Sequence, residues 1–306
     1  MALYVIKNAK TGGDGYLQIC PISIKLKLLE YQPILKNFLL CFSLLCSFFV
    51  SSAHSEAYFQ FDSFEHYIAS ALHGQALTDF KEVTEKVKNN IFWKTRSNKN
   101  KYQSAYRRSM PQFKNFFRDD VPDFVFLIPY LESAWRPTKG RKKSDYGYWQ
   151  MVSEVVAEIK TLDHASKALK KAHPDKIRSD PSLSTEAAVI HLKRYYFYFR
   201  HVANFSEADA WLFSVTAYNW GAGNIKRILL KMLREGVVKD ESALQFSNFY
   251  HYLYQSSKSN SADRSMRVAL EYLPNLWNIS LLIRKYQEQK YSKQSLKNKH
   301  HIKHKG

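Results

Sequence analysis

Glu132 and Ser133 close a segment of helical period in which Val121, Phe124, Ile128, Leu131 and Trp135 recur at steps of three and four, one face of a helix. Glu132 falls beside Ile128 and Trp135, at the rim of that apolar face. Partial desolvation there disfavours the ionised carboxyl and raises its pKa. A value of roughly 6–7 would keep Glu132 protonated often enough to act as an acid near neutral pH, and its carboxylate could then serve as a base. Pro137 follows five residues on, Gly147-Tyr148-Trp149-Gln150 ends the block, and Ala217-Tyr218-Asn219-Trp220-Gly221-Ala222-Gly223 answers it downstream. A lone Glu-Ser pair occurs by chance in most chains; the ordered series carries the signal. His164, His173, His191 and His201 have no ligand-like spacing, so no metal site and no cofactor are expected.

These residues need helices to hold them. Pro129 either kinks the Glu132 helix or marks a break in it. Ser184-Thr185-Glu186 offers a cap and an early acid for a helix that continues through Ala188, Leu192, Tyr195 and Phe199. Tyr195 through Phe199, all aromatic, are expected to pack that helix on several sides rather than bind a ligand. Another helix leads from Asp209 to Tyr218-Asn219 and is broken by Gly221 and Gly223; a basic helix around Ile225 to Leu233 then ends near Gly236. Strand alternation is scarce, so the architecture is expected to be mainly α.

The 306 residues suffice for one good-sized core or two small ones. A formal charge of +19 implies an acidic partner: nucleic acid, an anionic membrane surface or an anionic cell-wall polymer. No helix-turn-helix, zinc or RNA-binding signature supports nucleic acid. Cys20, Cys41 and Cys46 all lie in the first fifty residues, so the main domain has neither a disulfide framework nor a cysteine metal site. Lys25, Lys27 and Lys36 precede the apolar run Phe38 to Val50, which is short for a membrane span and right for a signal h-region, with small residues after it. Export is the expectation, to the periplasm or cell envelope. An uncleaved segment anchoring the protein to the inner or outer membrane is the alternative. Leu45 argues against lipidation at Cys46, since a small residue is wanted there.

The motif series Ile128-Pro-x-x-Glu132-Ser133-Ala134-x-x-Pro137, Gly147-x-Trp149-Gln150, Ser184-Thr185-x-Ala187-Ala188 and Ala217-Tyr218-Asn219-x-Gly221 resembles the lytic transglycosylases. These are lysozyme-like enzymes that cut bacterial peptidoglycan, and the resemblance is closest to the membrane-bound lytic murein transglycosylase D type. It covers about 119 to 235 well and continues thinly to about 275. The resemblance implies that Glu132 protonates the leaving oxygen of the bond between N-acetylmuramic acid and N-acetylglucosamine. The substrate's N-acetyl group steadies the cation, and Glu132 then takes the proton of the C6 hydroxyl, so that a 1,6-anhydro sugar forms and no water is consumed. By the same resemblance Ser133 orients the substrate N-acetyl or supports Glu132, Gln150 donates to the sugar, and Gly147 lets the backbone approach it. Tyr218 and Asn219 lie opposite the glutamate, and Tyr272, in Glu271-Tyr-Leu-Pro274, reaches into the cleft. The chain departs from the pattern in its basic loop Lys139 to Lys143, in Trp220 where alanine is usual, and in Val268-Ala269 where Glu-Thr is usual.

The expected organisation is an N-terminal extension with a signal or anchor over 1–57, an accessory helical lobe over 58–118 and a lysozyme-like catalytic domain over 119–235. C-terminal helices over 236–287 complete the cleft, and a basic disordered tail occupies 288–306. Two other functions stay open: a catalytically silent peptidoglycan-binding or scaffold protein, and a lysozyme-type hydrolase using Asp145 or another acid to activate water.

Overall fold

The computed structural model describes residues 61–92, 96–113, 116, 120–139, 144–258 and 264–303. The leader, its three cysteines and residues 140–143 of the basic loop lie outside the described residues. No described helix is long and apolar enough to cross a membrane.

The helices α1 (Ser63–Ala71), α2 (Gly74–Phe92) and α3 (Arg96–Phe113) come first. A 3₁₀ turn (Asp123–Leu127) then runs into the short helix α4 (Ile128–Ser133). Strands β1 (Thr138–Lys139) and β2 (Tyr146–Gly147) pair antiparallel as a minimal hairpin, with Thr138 opposite Gly147. Next come α5 (Ser153–Lys160), α6 (Lys167–Lys171), α7 (Pro174–Ser179), α8 (Pro181–Phe197) and α9 (Glu207–Trp220). Helices α10 (Ala222–Arg234), α11 (Phe246–Lys258) and α12 (Arg264–Lys303) complete the described chain. The protein is mainly α, as its sequence pattern implies.

Local chemistry sets the boundaries, not always where the pattern suggests. The cap of α8 is Asp180, whose side chain accepts from the backbone of Ser182 at 3.0 Å and Leu183 at 3.1 Å, with Pro181 at the first helical position. Ser184 and Thr185 sit a turn inside the helix, buried, with their hydroxyls turned back to the Pro181 carbonyl. Gly221, at φ +85°, ends α9, whereas Gly223 lies within α10 and breaks nothing. Disorder was expected over 288–306, but α12 runs to Lys303: from 288 to 303 there is no Gly or Pro and Lys is the commonest residue, a good helix former. Among the clustered aromatics, Phe199 is buried and Tyr196 stacks on Trp211 at 4.4 Å, but Phe197 is 60% exposed. There the chain widens into a π turn over Tyr198–Val202, which shifts the helical register.

The accessory segment, the motif region and the C-terminal helices share one core, continuous from Phe61 to Ile283. α12 lies along α2, α1 packs on α9, and α9 packs on α8. Phe64 stacks on Phe124 at 4.7 Å and meets the edge of Trp277 at 5.3 Å, tying α1 and α12 to the segment that leads into α4. Elements flanking the motif region therefore fix where α4 points.

Candidate active site

α4 is a short helix with a buried base: Ile128, Pro129 and Tyr130 are wholly or largely enclosed, and Leu131, Glu132 and Ser133 reach the surface of a cleft or its edge. It stops because Ala134 and Trp135 both turn left-handed, at φ +51° and +54°. Trp135 therefore does not continue the helical stripe its spacing suggests. Two such non-glycine residues each cost on the order of 1 kcal/mol. Packing and hydrogen bonds oppose that cost: Trp135 is buried against Phe113 at 4.7 Å and Tyr148 at 4.8 Å, and Arg108 donates to the Ala134 carbonyl at 2.9 Å. The turn presents Glu132 from a fixed stub rather than from a helix that could fray.

Glu132 lines a cleft of about 1380 Å³. Its Oε1 accepts a hydrogen bond from the Tyr272 hydroxyl at 2.7 Å, across 140 residues of sequence. Burial, then the neighbouring Glu132 carboxylate, hold the Tyr272 phenol well above its ordinary range, so Tyr272 remains a donor throughout any physiological pH. Tyr218 and Asn219, from the end of α9, line the same cleft. The Tyr218 hydroxyl donates to the Trp149 carbonyl at 2.7 Å, and burial followed by Glu132 pushes this phenol up as well. The Asn219 Oδ1 is buried and has no hydrogen-bond partner among the described residues.

The other three predicted residues make close contacts within the protein. Ser133 donates to the Tyr148 carbonyl at 2.6 Å and lies within 3.1 Å of the Pro129 carbonyl, so it fastens the end of α4 to the hairpin. Gly147 is closely approached by protein. At φ +89°, a Cβ on it would lie 1.9 Å from the Arg178 carbonyl oxygen. Gln150 lines the cleft, but its Nε2 already donates to the carbonyls of Thr138 at 2.8 Å and Gly147 at 2.6 Å. Both amide protons are thus committed to closing the hairpin, and what Gln150 can offer a ligand is an acceptor oxygen.

Several residues unmarked in the sequence also matter. Arg178 is buried; it donates to the carbonyls of Ser144 at 2.9 Å and Met151 at 3.2 Å, pairs with Asp175, and covers the Tyr146 ring. Its own carbonyl accepts from the Tyr148 backbone at 3.2 Å. It clamps both ends of the segment that carries Asp145 and Gln150. His191 lines the cleft against Tyr195 at 4.5 Å, so that Tyr195, expected to be packing alone, also faces the cavity. Burial, then Arg194, hold the His191 imidazole down at about 4, leaving it neutral. Two further carboxylates, Asp145 and Glu271, share the cleft. Among the described residues no group of three or more His, Cys, Asp or Glu side chains is placed to hold a metal ion.

A carboxyl accepting from a neutral phenol, in a cleft lined by aromatic and amide side chains, is equipped for proton transfer. Residues 116–233 match the family model described as Transglycosylase SLT domain. The match supports the lytic transglycosylase family for this stretch, a kind of enzyme that acts on peptidoglycan, and accords with its mainly α, lysozyme-like fold. No curated protein matches the chain.

Proposed function

We propose that this protein is a lytic transglycosylase that cleaves the β-1,4 bond between N-acetylmuramic acid and N-acetylglucosamine without water, leaving 1,6-anhydro ends. The reading is carried by one observation, the Tyr272 hydroxyl held 2.7 Å from Glu132 in the cleft. Protonated Glu132 gives its proton to the glycosidic oxygen, and the C1–O bond breaks. The substrate's N-acetyl oxygen stabilises the cationic C1. The new carboxylate, accepting from Tyr272, then removes the C6 hydroxyl proton, and O6 closes on C1. Glu132 ends protonated, so the cycle balances with a single carboxylate. Tyr218 and Asn219 shape the facing wall. A substrate of this kind, with the apolar run Phe38 to Val50, supports a location in the periplasm or cell envelope, the protein being free or anchored by its N-terminal segment.

Asp145 favours a second reading, since it lines the same cleft and is offered by the hairpin rather than by α4. A hydrolase would use it to activate water from the opposite face of the ring. Mass spectrometry of fragments released from purified peptidoglycan separates the two. Products one water lighter than reducing ends, absent with Glu132→Gln, are expected. Reducing ends that disappear with Asp145→Asn would establish the hydrolase instead. Binding without release by the wild-type chain would leave the silent scaffold.

A further inference from the structure

The helix α10 follows directly on the Tyr218-Asn219 wall, and its two sides are unlike. Ile225, Ile228, Leu229 and Met232 are buried in the core. On the outward side Lys226, Arg227, Lys231 and Arg234 are exposed, and no acidic residue occurs within the helix. Leu230 breaks the polar character of that side, 45% exposed among these cations. It forms, with Leu233 and Gly223, the apolar floor of a shallow groove of about 520 Å³ whose remaining lining is Lys226, Arg227 and Arg234. Among the described residues none of these three cations is paired with a carboxylate. Arg227 donates only to the Asn224 side chain at 3.0 Å, and Arg234 reaches the Leu230 carbonyl at 3.4 Å. Lys231 is different, because Glu235 lies 3.6 Å away and offsets its charge.

Position adds to composition. Gly221 lines the catalytic cleft and Gly223 lines the groove. Two residues of chain span at most about 7 Å, so the groove begins where the cleft ends. From Lys226 to Arg234 the helix rises about 12 Å, the reach of roughly three to four residues of extended peptide.

We infer that the α10 groove is an exosite for the carboxylate-bearing peptide side chains of the polymer whose glycan strand occupies the cleft. The inference rests on the function proposed above and extends it to the substrate's anionic part. The cations meet carboxylates, Leu230 and Leu233 meet the small apolar side chains between them, and continuity with the cleft makes both contacts belong to one strand. Because the contacts are exposed, they act through affinity and are screened by salt; they do not touch the reacting atoms.

The test is the triple variant Lys226→Ala/Arg227→Ala/Arg234→Ala beside wild type, on intact peptidoglycan and on the same glycan stripped of its peptides. KM on the intact polymer is expected to rise about tenfold with kcat unchanged, the rise fading in high salt, and the stripped glycan should be handled equally by both proteins. No change on the intact polymer, or an equal change on both, overturns the exosite. Co-sedimentation of the same two proteins, each also carrying Glu132→Gln, with intact polymer gives a readout independent of turnover. If the wild-type chain proves inactive while the triple variant binds intact polymer about tenfold more weakly, the exosite stands and the proposed reaction falls. If the substitutions abolish binding to anionic phospholipid vesicles and leave polymer binding untouched, the groove faces a lipid surface and the proposal is wrong.

Discussion

Replacing Gly147 with alanine tests the geometry of the site more directly than removing any of its polar groups. Two costs arise together. The first is conformational: φ at this position is +89°, and a side chain there costs about 1–2 kcal/mol. The second is steric. The new Cβ would sit 1.9 Å from the Arg178 carbonyl oxygen, against ordinary contact beginning at 3.4 Å, so the two backbones must part by about 1.5 Å. Parting them lengthens the Tyr148 to Arg178 backbone hydrogen bond past usefulness, about 1 kcal/mol, with overpacking adding about 1–3 kcal/mol. A total loss of about 3–6 kcal/mol is expected. The displaced hairpin also carries Asp145 and Gln150 and receives Ser133 through the Tyr148 carbonyl, so kcat should fall about a hundredfold even in the protein that stays folded.

Two other glycines supply the controls. Gly236, at φ +67°, has open space where a Cβ would be, so alanine there carries the conformational cost alone. Gly223 is helical with open space and should tolerate alanine or gain by about 0.5–1 kcal/mol. Urea unfolding measures stability, and release of soluble fragments at a temperature where all variants are folded measures the rate. The argument fails if Gly147→Ala loses no more stability than Gly236→Ala, or if it keeps wild-type turnover.

Tyr272→Phe removes one hydrogen bond to a carboxylate, about 1.5–3 kcal/mol, and should lower kcat by about 10- to 100-fold while KM changes little; an unaltered kcat would remove Tyr272 from the mechanism. The phenol itself is held well above its ordinary range and does not set the alkaline side of the wild-type pH profile, but losing its hydrogen bond disfavours the Glu132 carboxylate, so that side should move to higher pH in the variant. His191 predicts a pH-dependent stability. Its folded pKa of about 4 lies below the ordinary 6.5, so the unfolded chain takes up a proton that the folded chain refuses as pH falls through that window. Up to about 3 kcal/mol present above pH 6.5 is lost by about pH 4, and His191→Gln should flatten the curve of melting temperature against pH in that range; an unchanged slope would show that the imidazole titrates normally.

The motif pattern located the right neighbourhood better than it explained it. Glu132, Tyr218 and Asn219 are legible because their motifs resemble those of a known family, which implies a glutamate and a facing wall, and the structure places all three on one cleft. Gly147 was legible as a glycine, but the carbonyl that forbids a side chain there belongs to Arg178, thirty-one residues later, and no local pattern announces it. Gln150 and Ser133 carry polar groups of the right kind, yet folding spends their donors on backbone carbonyls, a competition that sequence spacing does not reveal. Arg178 was invisible for the same reason, and His191 was noticed only to be set aside as a metal ligand: a single histidine or arginine on a helix reads as surface until tertiary packing encloses it. The end of α4 is the sharpest case. A stripe of period three to four ran through Trp135, and only packing against Phe113 and Tyr148 makes two left-handed residues cheaper than another helical turn.

The same reasoning bears on how much of the chain the site requires. The family match spans 116–233, which includes Glu132, the hairpin and the Tyr218-Asn219 wall. It leaves out Tyr102, which lines the cleft from α3, and the whole of α12, which supplies Tyr272. Yet α12 is no optional lid. Leu270, Leu273, Leu276, Ile279, Leu282 and Ile283 enter the shared core, and its Trp277 meets Phe64 from the first described helix. Tyr272 is therefore positioned by the burial of its own helix, independently of Glu132, and the 2.7 Å hydrogen bond forms between two groups each already fixed by packing. Such an arrangement loses little conformational entropy when charge moves onto the carboxylate, because neither partner has to be immobilised at that moment. The segments least recognisable in the sequence are thus the ones that make the recognisable glutamate usable.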